Sequence, residues 1–478
     1  MNVNMNFLQE LLSSIGRRTR GQAAHADKRD TPSSLARLTS VCETLMQPGG
    51  EASQILIAQE ALERYASLDD AGRLAFFQLL ADHYAAEPER IHAAYAAYQE
   101  AEDNASLAQL FAVCEPRRQH LLRRLNLCPG GTYELVKMRA DLLGLLKAHP
   151  ELAPLDADFA HLFASWFNRG FLMLESIDWN TSAAVLEKLI RYEAVHAIRD
   201  WGDLRRRLDP DDRHCYAFFH PATGDEPLIF VEVALCRGIP DNIQTILESG
   251  DEVPPQEADT AAFYSISNCQ AGLKGISFGN FLIKQVVQEL KRELPNLENF
   301  VTLSPVPGFA AWLQQARDQG ELNLSDDLVT ELDAGHWREP GKMRDKLAPE
   351  VRALAAHYLI DVKRGDSGMP LDPVARFHLG NGASLHRLNW PGDLSDKGLK
   401  QSHALMVNYL YELERIEQNH EAFSREGSVI CTQEIRRDAK QARSRLLAAP
   451  KGDAKVNARG DTKSGPKAGA KGDPKAKA

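Results

Sequence analysis

The sequence predicts an α+β protein with a helical N-terminal domain, a mixed α/β domain and a disordered C-terminal tail. Apolar residues recur at helical spacing from about residue 35 to residue 168, with few β-branched runs between them. Short runs of aromatic and β-branched residues then alternate with helical stretches as far as residue 448. From Lys451 onward, Gly, Pro and Ala separate the basic residues and leave no apolar face. The predicted domains are residues 1–168, 169–448 and 449–478.

The predicted helical domain carries apolar faces but no group of residues suited to catalysis. Ile55, Ala58 and Leu62 form one such face, and Leu107 and Phe111 belong to another. A surface of this kind serves packing and subunit contact. We therefore expect this domain to support a homo-oligomer.

The second domain contains six runs with the composition of β-strands. They are residues 215–219, 228–235, 261–267, 300–303, 376–379 and 384–390. After the third run, apolar residues at Phe278, Leu282, Val286 and Leu290 predict an amphipathic helix. The order of strands and helices predicts a mixed α/β sheet.

A glycine-containing turn at residues 272–279 connects the third run to that helix. A helix entered through glycines presents free backbone N–H groups and a partial positive charge, which suits a phosphate or pyrophosphate. Glycines at a strand-to-helix turn also occur without any ligand, so the spacing alone leaves a purely structural role open.

The turn resembles the pyrophosphate-binding loop of the N-acetyltransferase-like (GNAT) superfamily. The Arg/Gln-x-x-Gly-x-Gly/Ala pattern of that loop falls on Lys274, Ser277 and Gly279, and the first two of these depart from it. With its flanks at 263–267, 279–284 and 303–309, the segment resembles the malonyl-CoA decarboxylase family, which is GNAT-like. Further matching segments follow in chain order at 130–132, 136–137, 139–143, 226–228, 233–235, 242–244, 372–375, 377–379, 381–383, 387–390 and 408–411.

The resemblance implies a GNAT-like catalytic domain that converts malonyl-CoA to acetyl-CoA and CO2 through an enolate. It implies that His378 protonates the carbon, with a pKa near neutrality, and that Ser304 hydrogen-bonds the malonyl group. Tyr411, predicted to lie with Tyr409 on a helix, would add a hydroxyl to the site. The resemblance implies that the turn binds CoA through Lys274, Gly275, Ile276, Ser277, Phe278, Gly279 and Asn280.

Two other functions also fit the sequence. A CoA-dependent acyltransferase would share the turn but would need a pocket for an amine acceptor and a base to deprotonate it. A non-catalytic CoA-binding scaffold would bind the ligand without turnover. His378 within an apolar strand and Ser304 before a proline also fit structural roles. For the decarboxylase we expect no separate cofactor, because the thioester of the substrate is itself the electron sink.

Composition limits the partners of the protein. A formal net charge of −10 over 478 residues argues against a nucleic-acid-binding surface, and no apolar run approaches the roughly 20 residues that span a bilayer. Seven cysteines without metal-ligand spacing predict free thiols and no zinc site. We expect a cytoplasmic protein. The short amphipathic run at residues 7–12, followed by Arg17, Arg18 and Arg20, leaves the mitochondrial matrix as the alternative.

Overall fold

The computed structural model describes residues 33–248, 251–276, 282–322 and 326–445. Three sequence features lie outside these ranges: the N-terminal run at residues 7–12, residues 277–280 of the glycine turn, and the tail from Lys451.

The first part of the described chain is helical, as predicted. Its α-helices are α1 (Ser34–Met46), α2 (Glu51–Ala66), α3 (Asp70–Asp82), α4 (Pro88–Ala101), α5 (Asn104–Cys114), α6 (Arg117–Leu125), α7 (Gly131–Leu145) and α8 (Ala153–Trp166). Short polar side chains start several of them: Ser33, Asp69 and Asp103 each accept a hydrogen bond from a backbone N–H in the first turn. Their apolar faces meet around buried Phe76, Phe77 and other core residues.

A mixed eight-stranded sheet follows. Its strands are β1 (Met173–Ile177), β2 (Arg213–Phe219), β3 (Ile229–Cys236), β4 (Thr260–Asn268), β5 (Asn299–Thr302), β6 (Ser304–Pro305), β7 (Ser384–Asn389) and β8 (Met406–Leu410). The order across the sheet is β1-β2-β3-β4-β5-β8-β6, and β7 pairs with β8. The pairing of β4 with β5 is parallel, and the other pairings are antiparallel.

Helices connect these strands and cover the sheet. They are α9 (Ala183–Tyr192), α10 (Trp201–Leu208), α11 (Gln244–Leu247), α12 (Leu282–Glu293), α13 (Phe309–Asp318), α14 (Asp326–Ala334), α15 (Lys342–Ile360), α16 (Pro373–Gly380), α17 (Asp396–Ser402), α18 (Ile416–Glu426) and α19 (Gln433–Arg445). The described part of the predicted amphipathic helix is α12, which buries Leu282, Val286 and Leu290 as expected. None of the described helices is both long and apolar enough to cross a membrane.

Five of the six predicted strands are present, and one prediction is wrong. Residues 376–379, predicted as a strand, lie in helix α16. The reason is local: Asp372 caps the helix by accepting a hydrogen bond from the N–H of Ala375, and Pro373 occupies the first turn. The strands β1, β6 and β8 were not predicted.

The parallel pairing of β4 with β5 positions the site. The pairing runs from Thr260 opposite Asn299 to Phe263 opposite Thr302 and extends to a hydrogen bond of 2.9 Å from the N–H of Leu303 to the carbonyl of Phe263. Beyond that point β4 stays paired with β3, whereas β6 pairs with β8. The two strands diverge, and a wedge opens between them.

Candidate active site

A cavity of about 350 Å³ lies where β4, β6 and α16 meet. We call it the His378 cavity; its lining consists of Val195, Phe263, Tyr264, Ile266, Asn268, Ser304, Pro305, Pro373, Val374, Phe377 and His378. Most of these side chains are apolar, and the described residues contribute no Lys or Arg to the lining. An apolar cavity with a few convergent polar groups is typical of a ligand site.

His378 is buried, with an exposed fraction of 3%, in the last turn of α16. Its Nε2 lies 3.0 Å from Oγ of Ser304, and its Nδ1 lies 2.8 Å from the hydroxyl of Tyr411. Burial lowers the pKa of the imidazole to about 3. The expectation of a pKa near neutrality is therefore wrong: at neutral pH the ring is uncharged.

The hydrogen bonds of Ser304 define the tautomer of His378. Ser304 donates its hydroxyl proton to Oγ1 of Thr302 at 2.9 Å, and Thr302 also accepts the backbone N–H of Tyr409 at 3.2 Å. Ser304 therefore accepts the Nε2–H of His378, whose Nδ1 in turn accepts the hydroxyl of Tyr411. The four side chains form one chain of hydrogen bonds that reaches the cavity at Ser304 and His378.

The prediction that Tyr409 and Tyr411 lie on a helix is wrong. Tyr409 belongs to β8, and Tyr411 follows it with its backbone N–H donated to the carbonyl of Phe300 at 2.8 Å. Because the two tyrosines are two residues apart in an extended segment, their side chains point to the same face of the sheet, and both contact His378. The Tyr409 ring stacks on the imidazole at 4.6 Å between centroids. Burial raises the pKa of both tyrosine hydroxyls.

The opposite wall of the cavity comes from a β-bulge that the sequence did not reveal. The register of β4 against β3 shifts between Phe263 and Ser265, so Tyr264 has no partner on β3, and this residue is part of the cavity lining. Glu193 braces this wall, because its carboxylate accepts the hydroxyl of Ser265 at 2.7 Å and the N–H of Val195 at 2.6 Å. No local motif marks Glu193, which is 72 residues from Ser265 in sequence.

Of the predicted CoA-binding residues, Lys274, Gly275 and Ile276 lie within the described chain. They follow a short 3-10 turn (Ala271–Leu273) after β4. Gly275 has φ of +81°, a conformation that favours glycine. Ser277, Phe278, Gly279 and Asn280 lie outside the described residues. The cavity lining does not include the described part of the turn, whereas Ser304, His378 and Tyr411 come together.

The described residues contain no group of three or more His, Cys, Asp or Glu side chains that could hold a metal ion. The described site contains the neutral imidazole of His378, the hydroxyls of Thr302, Ser304 and Tyr411, and the backbone groups of the diverging strands. Such a site can pass a proton along the chain from Tyr411 to His378 in an apolar surrounding.

Both parts of the chain match models of one protein family. Residues 84–167 match the family model for the malonyl-CoA decarboxylase N-terminal domain, and residues 170–449 match the model for the C-terminal domain. The chain is 39% identical over 337 residues to the mitochondrial malonyl-CoA decarboxylase of Anser anser anser, covering 64% of this chain and 66% of that protein. The corresponding Rattus norvegicus protein is 37% identical over 352 residues, with 67% of this chain and 70% of that protein covered.

Solved structures agree with these matches. The crystal structure of malonyl-CoA decarboxylase from Rhodopseudomonas palustris has a TM-score of 0.81 and 51% identity, covering 85% of this chain and all of that chain. The structure from Agrobacterium vitis has a TM-score of 0.80 and 50% identity, covering 84% of this chain and 99% of that chain.

Proposed function

The chain belongs to the malonyl-CoA decarboxylase family and is a carboxy-lyase, and we propose that it converts malonyl-CoA to acetyl-CoA and CO2 in the His378 cavity. The observation that carries the proposal is the chain of hydrogen bonds from Tyr411 through His378 to Ser304, which opens onto an apolar cavity.

The apolar lining favours loss of CO2 from the malonyl carboxylate. A carboxylate held among Ile266, Val374 and Phe377, with no described Lys or Arg in the lining, has little to stabilise its charge. The negative charge spreads onto the thioester as the C–C bond breaks, so the transition state depends less on solvation than the bound substrate does. Asn268 and Ser304 are the polar groups that would orient the malonyl group.

The enolate oxygen needs preorganised hydrogen-bond donors. Ser304 is one candidate, because its hydroxyl can rotate from Thr302 toward the substrate. Backbone N–H groups of β4 beyond Phe263 are further candidates, since β4 and β5 no longer pair there.

His378 is proposed to protonate C2 of the enolate in its neutral form. The Nε2–H proton moves to carbon while Nδ1 takes the hydroxyl proton of Tyr411 at 2.8 Å, so the imidazole stays uncharged overall. The carbanion carbon of a thioester enolate is a much stronger base than a tyrosine oxygen, even one whose pKa is raised by burial. Nδ1 then returns its proton to Tyr411 while Nε2 takes one proton from solvent through the cavity, which restores the starting tautomer and accounts for the single proton that the reaction consumes.

The turn with Lys274, Gly275 and Ile276 is proposed to receive the pyrophosphate of CoA, and no other cofactor is required. An acyltransferase would need a base to deprotonate an amine acceptor. An imidazole with a pKa of about 3 is too weak for that task, which favours the decarboxylase.

Incubation with malonyl-CoA alone in heavy water tests the proposal. Mass spectrometry should find acetyl-CoA with one deuterium at C2, formed without an acyl acceptor and in step with CO2. Ser304→Ala should slow this reaction by on the order of 10²-fold if its hydroxyl stabilises the developing charge. A protein that binds CoA and leaves malonyl-CoA intact would contradict the proposal and favour the scaffold.

We also propose a homo-oligomer that assembles through the helical region. Tyr95 on α4 and Phe111 on α5 are exposed by 50% and 71%, and exposed apolar surface of this kind can serve subunit contact. Phe111→Ser should lower the molar mass measured by light scattering; an unchanged mass would exclude this surface. The free thiols of the seven cysteines fit a reducing compartment, and we propose the cytoplasm.

A further inference from the structure

The helical region packs directly on the turn that is proposed to bind CoA. We infer that Arg139, on α7, is a positioning residue that holds this turn in its ligand-binding shape. The inference rests on the proposed function. It gives the helical region a part in substrate binding in addition to packing and assembly.

The Arg139 side chain is buried and joins the two parts of the chain. Its Nη1 donates to the carbonyl of Gly272 at 2.7 Å and to the carbonyl of Lys274 at 3.0 Å. On the other side its Nε donates to Asp156 at 2.8 Å, and its guanidinium lies 6.0 Å from the ring of Phe163. Asp156 and Phe163 belong to α8, so contacts within the helical region hold the guanidinium in the position from which it donates to the turn.

The contact between α7 and the turn is also too close for any side chain at Gly272. A Cβ atom at that position would lie 1.8 Å from the backbone carbonyl oxygen of Val136. Since that oxygen belongs to the α7 backbone, it cannot move aside as a flexible side chain would. Gly272 therefore lets the turn lie against the helix where Arg139 can reach two of its carbonyls.

Two physical effects would make this arrangement favour a pyrophosphate. The guanidinium neutralises two carbonyl oxygens whose negative ends would otherwise repel an anion nearby. In a trans peptide the C=O and the following N–H point in opposite directions. Because the carbonyl of Lys274 faces Arg139, the N–H of Gly275 points away from the helical region, as a donor to an anion on the open side would.

The test compares malonyl-CoA with malonyl-pantetheine, which carries the reacting group but no pyrophosphate. In Arg139→Met we expect KM for malonyl-CoA to rise roughly 10-fold with kcat changed by less than about twofold. Turnover of malonyl-pantetheine should stay within about twofold of wild type. Equal losses on both substrates would reduce Arg139 to a structural residue and overturn the inference, as would no loss on either.

Arg118 provides a matched control. It is also a buried arginine of the helical region, it pairs with Asp158, and its other contact is the carbonyl of Ala81, far from the turn in sequence. Arg118→Met should lower the melting temperature without changing the ratio of kcat/KM for malonyl-CoA to kcat/KM for malonyl-pantetheine. A change in this ratio as large as that in Arg139→Met would contradict the inference.

Two further variants keep the test decisive if Arg139→Met does not fold. Arg139→Lys keeps the charge but cannot satisfy both carbonyls and Asp156, so its loss on malonyl-CoA should be smaller. Gly272→Ala should push the turn off Val136 and reproduce the selective loss on malonyl-CoA. Uniform losses in both variants would overturn the inference.

The wild-type measurements separate this inference from its premise. A wild type that does not decarboxylate malonyl-CoA removes the proposed function and the inference with it. If wild type uses malonyl-pantetheine and malonyl-CoA with equal efficiency, the turn does not belong to the CoA site, and the inference is overturned as well. Where wild type prefers malonyl-CoA and Arg139→Met keeps that preference, the role of Arg139 alone is overturned.

Discussion

His378, the proposed proton donor, combines two properties that usually conflict in such a group. It is buried, which lowers the pKa of the imidazolium to about 3, and it is hydrogen-bonded at both ring nitrogens. A buried charge would be costly here, because no described carboxylate is hydrogen-bonded to the ring. The neutral ring with Nε2–H is the form that the surroundings support, and in the proposed mechanism Tyr411 supplies the proton that Nδ1 takes up.

The first prediction concerns the pH dependence of kcat. An imidazolium donor with an ordinary pKa near 6.5 would make kcat fall as pH rises above that value. A neutral donor with a pKa of about 3 stays in the same form at higher pH, so kcat should be flat from pH 6 to pH 9. Steady-state kinetics at saturating malonyl-CoA measures this profile. A tenfold fall per pH unit above pH 7 would show that the charged form is the donor.

The second prediction concerns the proton path. His378→Gln removes the donor and should lower kcat by roughly 10² to 10⁴, the usual range for general acid catalysis. Tyr411→Phe removes the hydroxyl that donates to Nδ1 and should also slow turnover, by roughly 10-fold or more.

Tyr409→Phe is the control for the proton path. The Tyr409 ring stacks on His378, but its buried hydroxyl has no hydrogen-bond partner in the described chain. This variant keeps the ring and should retain kcat within about twofold. Near-normal kcat in His378→Gln would refute the assignment of His378.

At the scale of elements, the short helix α16 places His378, and Asp372 holds the start of that helix. The Asp372 carboxylate is fully buried and accepts the N–H of Ala375 at 2.8 Å. Burial raises its pKa to about 6. Pro373 and Val374, which follow the cap, line the His378 cavity. The cap therefore fixes one wall of the cavity together with His378.

The third prediction tests this cap. Asp372→Ala should lower the free energy of unfolding by about 1 to 2 kcal/mol, the usual cost of losing an N-cap. It should also lower kcat, because α16 carries His378. Asp372→Asn keeps an acceptor oxygen and should lose less of both. Urea unfolding and kinetics on the two variants provide the measurement; equal losses in both would show that the charge, not the cap, matters.

The turn between β4 and α12 leads to the fourth prediction. Gly275 has φ of +81° and open space around its Cβ position, so Gly275→Val would be strained by its backbone alone. The variant should shift the turn and weaken CoA binding several-fold in calorimetry. Gly320→Val is the control, because Gly320 has φ of +67° with equally open space at the end of α13. Equal CoA affinity in both variants would exclude the turn from the site.

At the scale of the whole molecule, burial of histidines governs acid stability. Burial lowers the pKa of His378 to about 3 and of His196 to about 4. It also lowers the pKa of His214, His220 and His403. Below pH 6.5 the unfolded chain binds protons on these rings that the folded protein does not, so the free energy of unfolding falls as pH falls.

Two buried carboxyls act in the opposite direction. Burial raises the pKa of Asp372 to about 6 and of Glu232 to about 8, although the ion pair with Arg207 opposes the shift of Glu232. Over the windows between their ordinary and raised pKa values the folded protein binds more protons than the unfolded chain. These two groups therefore reduce the free energy of unfolding as pH rises. Above pH 6.5 this effect comes mainly from Glu232, whose raised pKa is the higher of the two.

The fifth prediction combines these effects. The histidines outnumber the two carboxyls, so stability should rise from pH 4 to about pH 6.5 and then decline slightly toward pH 8. Urea unfolding across this range measures the curve. His196→Gln should flatten its acid side, because it removes one group that binds a proton only in the unfolded state. A maximum near pH 4 would contradict the balance of groups described here.

The sequence by itself determined the order of the domains' secondary structure and the residue types of the site. Three of the sequence patterns are local. They are the helical spacing of apolar residues before residue 168, the alternation of apolar and polar residues in most strands, and the apolar face of α12. Each repeats at a spacing set by a single helix or strand. The helix α16 was also within reach, because Asp372 and Pro373 are a recognisable helix start. The short motifs around Ser304 and His378 pointed to residues that the fold brings together, although their catalytic roles stay proposals.

The tertiary structure alone decided the electrostatics and the supports of the site. The pKa of His378 depends on what surrounds the ring, and its partners Ser304 and Tyr411 are 74 and 33 residues away. The strand β8, whose neighbours are β5, β6 and β7, sets the faces of Tyr409 and Tyr411. Arg139 reaches the turn across 133 residues of sequence. Burial and long-range pairing have no local period, so no spacing along the chain could reveal them.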